Sequence, residues 1–232
     1  HFSYFFGASR VFYAIIQRTK ELYNNVKELD TAMVALKKVT DETSGTYSRF
    51  LSDAKQSSKE LGASLTDFVN ATADFAKLGY SISDSSELAK VATMYLNVGD
   101  DLDGIDDATS TIVSTLKAFN MTASQSESII DKLNEVSNRF AVSSGDLGQG
   151  LANSAAALST AGNDLNETIA LLTAGTEITQ NASEMGNSIK VLSMRLRGMK
   201  GELEALGEDV DDNVESISKM QTQILNLTHG KV

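Results

Sequence analysis

The chain contains no cysteine, no proline and no tryptophan among its 232 residues. Without cysteine it can form neither a disulfide framework nor a thiolate metal site. Its two histidines, His1 and His229, stand at opposite ends of the chain, too few and too far apart in sequence to predict a histidine-based catalytic set or a multi-histidine metal centre. Ordinary proline usage of about 5% would supply roughly a dozen residues. Proline is the strongest helix breaker, so its complete absence predicts a helical chain from end to end. Positive charge is also scarce. Twenty Lys and Arg face 31 Asp and Glu, for a net charge of -11. Such a field repels phosphate and argues against direct nucleic-acid binding. No membrane span is visible. The most apolar stretch, Phe2 to Ile16, is interrupted by Ser3, Gly7, Ser9 and Arg10 and falls short of the roughly 20 residues a bilayer core requires. It also lacks a signal-peptide cleavage site. The chain begins on His1 and not Met, which reads as a piece of a longer protein.

What the chain does have is rhythm. Six of its 15 aromatics fall within the first 13 residues: Phe2, Tyr4, Phe5, Phe6, Phe12 and Tyr13. Ile15, Leu22, Leu29 and Leu36 then recur every seven residues, with Val26 and Met33 four after Leu22 and Leu29. This predicts one long helix over about 10–40 with a narrow apolar seam, packed on its own chain or on a partner helix. From residue 64 a series of capped helices follows. Ser64 opens a stripe of Leu65, Phe68, Val69, Thr72 and Phe75 that stops at Gly79. Ser83 opens Leu88, Val91, Ala92 and Tyr95, stopped by Gly99. Asp103 or Asp106 opens Ala108, Ile112, Leu116 and Phe119, stopped by Asn120. Ser124 and Glu127 read as a capping box before Ile129, Ile130, Leu133, Val136 and Phe140. Ser144 opens Leu147, Leu151, Ala155 and Leu158, stopped by Gly162. Asn166 opens Ile169 and Leu172. Ser183 opens Met185, Ile189, Leu192 and Leu196, stopped by Gly198.

The stops Gly79, Asn120 and Gly162 repeat at spacings of 41 and 42 residues. Two helices joined by a short polar turn form a unit that must stack on its neighbours to bury its apolar face. The expected fold is therefore all-α: a long N-terminal helix followed by stacked helical hairpins of about 42 residues, like an α-solenoid. Three regions are expected: 1–62, an aromatic and heptad-like segment; 63–200, the hairpin core; and 201–232, an acidic hinge with a terminal amphipathic helix carrying Val214, Ile217, Gln221, Ile224 and Leu225.

Candidate chemistry is sparse. Asp100, Asp101, Asp103, Asp106 and Asp107 crowd one loop, but Gly104 and Ile105 stand where a calcium loop needs other residues. Carboxylates at a helix N-terminus already complement its dipole. Asp209, Asp211 and Asn213 fail the same pattern at Val214 and Met220. Lys190, Arg195, Arg197 and Lys200 form the one dense basic stretch and read as cations in the last turn of a helix. Gly145, Gly148 and Gly150 follow no strand and read as a flexible turn and helix start, not a phosphate loop. No nucleophile, base and orienting group come together. No catalytic, cofactor-binding or metal-binding residues are assigned, and no enzyme activity is expected.

An ordered succession of segments resembles the core of phage tail tape measure proteins of long-tailed phages and prophages of Gram-positive bacteria. It runs through VKELDTAMVALKKVTDE (26–42), ELGASLTDFVNATADFAKLGYS (60–81), LAKVATMYLNVGD (88–100), LKAFNMTASQSESIIDKLNEV (116–136), FAVSSGDLGQGLANSAAAL (140–158), AGNDLNETIALLTAGTEITQN (161–181), IKVLSMRLRG (189–198) and the tail QTQILNLTHGKV. The resemblance implies a structural protein that sets tail length, occupies the tail tube of the virion and is assembled in the host cytoplasm. It implies the tail tube protein, tail assembly chaperones and distal tail or baseplate proteins as partners, and self-association in several copies. It brings no cofactor and no site residues. Two other classes fit less well. A signalling coiled coil requires heptads over most of the chain, whereas these stop near residue 40. A flagellin-type filament subunit requires heptad termini that self-assemble.

Overall fold

The computed structural model describes residues 2–205 together with Lys219 and Thr222, the side chains of 2–16, 200, 203 and 204 excepted. Most of the expected third region, and with it Asp209, Asp211 and Val214, lies outside the described residues. Among the described residues the chain is helical with no strand, so the all-α expectation holds. The helices fall into two compact units, 1–90 and 91–232.

The first unit holds α1 (Phe2–Val39), α2 (Ser44–Leu61), α3 (Leu65–Lys77) and the first half of α4 (Ile82–Val98). Both α1 and α2 pack on α3, whose inward face is Phe68, Val69, Thr72 and Phe75 as its periodicity predicts. Helix α2 starts on Thr43, whose hydroxyl accepts from the Thr46 N–H, and ends at Gly62 in the left-handed conformation (φ 68°). Tyr47 ties the α1–α2 turn by donating to the Thr40 carbonyl at 3.0 Å, with the Lys37 ammonium 5.6 Å from its ring centre.

The second unit holds the rest of α4, then α5 (Ile105–Ala118), a one-turn 3-10 helix (Ala123–Gln125), α6 (Ser126–Ser137), α7 (Ser144–Thr160), α8 (Leu165–Thr179) and α9 (Ala182–Ala205). Helix α7 packs between α5 and α9, and α6 and α8 also lie against it. The contact of every second helix is the pattern expected of stacked hairpins.

The stops at Gly79, Asn120 and Gly162 are all left-handed, with φ of 94°, 51° and 83°, so the 41- and 42-residue spacing is a spacing of backbone geometry. The caps sit elsewhere than expected. They are Ser81, Thr122 and Asp164, two residues after each stop and two before the expected Ser83, Ser124 and Asn166. At each junction the third residue after the cap bonds back. Ser81 exchanges bonds with Asp84 (3.1 and 2.8 Å), the Thr122 N–H donates to the Gln125 side chain (2.9 Å), and Asp164 and Glu167 form a full capping box. At the Gly62 junction the left-handed stop and the cap two residues later recur, with the Ser64 hydroxyl accepting from the Asp67 N–H. At Asp164 and Glu167 the exchange satisfies two free N–H groups, and the bonds between residues three apart select the cap among several candidate hydroxyls.

Four further expectations are corrected. Helix α5 opens at Gly104, without a side-chain cap, and not at Asp103 or Asp106. Helix α7 is capped by Ser143, leaving Ser144 as its first, buried residue. Asn181, and not Ser183, caps α9, accepting from the Glu184 N–H at 2.9 Å. Helix α9 does not stop at Gly198 but runs through it and Gly201 to Ala205, because neither glycine takes a left-handed φ.

Candidate interaction surfaces

The apolar residues of the first helix divide into a covered and an uncovered set. Ala32, Met33 and Leu36 are buried, and α3 is the helix that packs on α1. Leu29 is half-buried. One and two turns earlier, Val26, Tyr23 and Leu22 are 67%, 70% and 66% exposed. Among the described side chains the seam from Leu22 to Leu36 is filled by the chain itself only at its C-terminal end.

The acidic loop is a structural clip. The Asp100 N–H donates to the Ser144 hydroxyl at 3.0 Å, its carbonyl accepts from the Gly145 N–H at 2.9 Å, and its carboxylate accepts from Ser137 at 3.2 Å. Asp101 sits in the left-handed region (φ 55°). The Asp107 carboxylate accepts from the Asp103 N–H at 3.1 Å. Beneath the loop the buried Tyr95 phenol donates to the Ser144 carbonyl at 2.6 Å. Burial pushes its pKa well above the ordinary value, the Ser144 bond opposes this and the Asp107 charge adds to it, so Tyr95 is a neutral donor at physiological pH. Among the described residues no three Asp, Glu or His side chains converge as metal ligands would.

The glycines read as a flexible turn lie inside α7, in its buried face. A side chain at Gly148 would meet the Tyr95 hydroxyl at 2.6 Å, and one at Gly145 would collide with the Asp101 carbonyl. At the α7–α9 crossing, a side chain at Gly150 would lie 2.6 Å from the Ala182 carbonyl, and one at Gly186 would strike the Gly150 carbonyl. These glycines let two helix backbones touch. The local sequence carries their density, but their partner lies more than thirty residues away.

The basic stretch is exposed on α9 at Lys190, Arg195 and Arg197, interleaved with the half-exposed Val191, Leu192 and Met194. Leu192 was expected inward, but Ile189 and Ser193 take that face instead. Since α9 continues to Ala205, these cations lie in mid-helix, too far from its end to act on the dipole. Between α6 and α8 runs a groove of about 350 Å³ lined by Val136, Phe140, Ile169 and Thr173, with Lys132 and Glu135 at its edge. Phe140, expected as the last inward residue of α6, is 46% exposed in this groove because the helix ends at Ser137.

Residues 52–231 match the family model described as phage-related minor tail protein. The chain belongs to that family. As a phage minor tail protein it has a structural role in the phage tail and is associated with the virion, and its partners are other tail components. The family match takes in both compact units from the middle of α2 onward. No solved structure matches the chain. Among the described residues of this minor tail protein no helix is long and apolar enough to cross a membrane.

Proposed function

We propose that this phage minor tail protein is a core segment of the tape measure. In this reading it occupies the tail tube lumen, sets tail length during assembly in the host cytoplasm, and acts through the tail tube protein, the assembly chaperones and the distal tail or baseplate proteins. It performs no catalysis. The observation that carries this reading is the regular spacing of the hairpin junctions, with left-handed residues at 79, 120 and 162 and caps two residues later. Each junction is closed by bonds between residues three apart and needs no distant partner. Length can then be added or removed in whole hairpin steps, which is what a ruler requires.

The test is deletion of residues 81–121, which joins Tyr80 to Thr122 at equivalent points of neighbouring junctions. If the chain in the tail is mostly helical, the tail shortens by about 60 Å, at about 1.5 Å of rise per residue. Electron microscopy of phage carrying the deletion reads this directly. Tails of unaltered length exclude a ruler role for this segment.

A further inference from the structure

We infer that the hairpin stack has one more junction, at Gly207, and that residues 210–225 fold back from it as an antiparallel helix that covers the exposed face of α9. Four junctions share one pattern: a left-handed Gly62, Gly79, Asn120 or Gly162, a cap two residues later, and a bonded partner three residues beyond the cap. Gly207, Asp209 and Asp212 reproduce that spacing. The register behind the cap agrees as well. Ser64 and Asp164 are followed by buried residues five and eight positions on, Val69 and Thr72 in α3, Ile169 and Leu172 in α8. Asp209 has Val214 and Ile217 at those positions.

Helix α9 supplies the surface. Leu192 is 49% exposed, Leu196 and Met199 are half-buried, and the three follow one another at helical spacing. Three features identify the occupant as the segment after Gly207. The first is distance along the chain. Only Leu206 separates Ala205, the last residue of α9, from Gly207, and so short a connection makes the two helices antiparallel neighbours. In that hairpin Val214 falls opposite Met199, Ile217 opposite Leu196 and Gln221 opposite Leu192. The second is charge. Among the described residues the exposed Lys190, Arg195 and Arg197 form no ion pair. The segment brings Glu208, Asp209, Asp211, Asp212 and Glu215, and the hairpin sets Glu215 beside Arg197. The third is the outer face. Lys219 and Thr222 are helical and exposed, and both stand off the stripe of Val214, Ile217 and Gln221, as residues turned to water must.

The chain has no cysteine of its own, so a pair of introduced thiols reads the contact in the full chain. Leu196→Cys with Ile217→Cys should oxidise to a disulfide within one molecule, because facing positions of packed helices bring the two Cα atoms toward the roughly 4.4–6.8 Å that a disulfide spans. Leu196→Cys with Lys219→Cys, on the outer face, should crosslink at least about tenfold more slowly. Gly207→Val, which disfavours a left-handed turn, should slow the first crosslink severalfold, whereas Gly201→Val, inside α9 with open space around it, should leave it unchanged. Non-reducing electrophoresis and intact mass read the crosslinks, and circular dichroism checks that each variant keeps its helix. No disulfide in the first pair, or equal rates in the two pairs, would overturn the fold-back. A disulfide between molecules would overturn the choice of occupant and assign the face to a second copy. An unaltered rate in Gly207→Val would overturn the junction.

Discussion

Helices α1 and α7 solve opposite problems with opposite residues. Helix α7 lies against α5, α6, α8 and α9, and its buried face is made of Gly145, Gly148, Gly150, Ser154 and Ala155 beside three leucines. Small residues let neighbouring helix backbones come close, at the cost of intrinsic helix propensity. Helix α1 is more than twice as long, carries larger apolar side chains and, among the described side chains, is covered by its own chain only near its end. The difference teaches where each helix gets its stability. The propensity of α7 is poor and its packing dense. The propensity of α1 is ordinary, and Leu22, Tyr23 and Val26 stay exposed.

The widest separation between the two should appear on truncating leucine. Leu151→Ala in α7 removes a fully buried side chain and should cost about 2–5 kcal/mol in urea unfolding. Leu22→Ala in α1, at a side chain two-thirds exposed, should stay within about 0.5 kcal/mol. Equal losses would erase the distinction.

Glycine sharpens it at a smaller scale. Gly186→Ala sets a methyl against the Gly150 carbonyl across the α7–α9 crossing and should destabilise by about 1–3 kcal/mol. Gly201→Ala lies in the same α9 helix with open space around it. There the substitution should stabilise by roughly 0.5–1 kcal/mol through helix propensity. Melting temperatures of the two variants should move in opposite directions.

The smallest effect separates the observed caps from the expected ones. Asp164→Ala removes the acceptor for the Glu167 N–H and should cost about 1 kcal/mol. Asn166→Ala, at the residue the sequence pointed to, should be near neutral. Chemical denaturation resolves the pair, and a reversed order would mean that the junction geometry is wrong.

The inward stripes were legible because large apolar residues recur at helical spacing, and Phe68, Leu88, Ile112, Leu133 and Leu147 are all buried as that spacing predicts. The left-handed stops were legible because glycine and asparagine favour that backbone. The caps were misplaced by two residues because each junction offers several hydroxyls and carboxylates. The choice between them falls to the acceptor three residues on: Asp84, Gln125 or Glu167. Gly198 looked like a stop because glycine costs a helix only about 1 kcal/mol, and local sequence does not say whether that cost is met. The division of the α1 seam was not legible at all. Heptads announce that a face wants covering, but only the packing of α3 shows which end the chain covers itself.

One feature of the fold bears on how this protein answers a mechanical load. Four of its buried hydroxyls bond within their own helices: Thr72 to the Phe68 carbonyl, Thr115 to Thr111, Ser154 to Gly150 and Thr173 to Ile169. The hairpin caps are closed between neighbours in sequence as well. Parting two helices leaves these groups satisfied, and the hydrogen bonds that resist separation are local clips, such as Tyr95 and Asp100 on Ser144 and Ser159 on the Ala118 carbonyl. Tension applied to the two ends meets side-chain packing first and backbone hydrogen bonds only later. The hairpins then part where such clips are missing, while each helix stays wound and keeps its length.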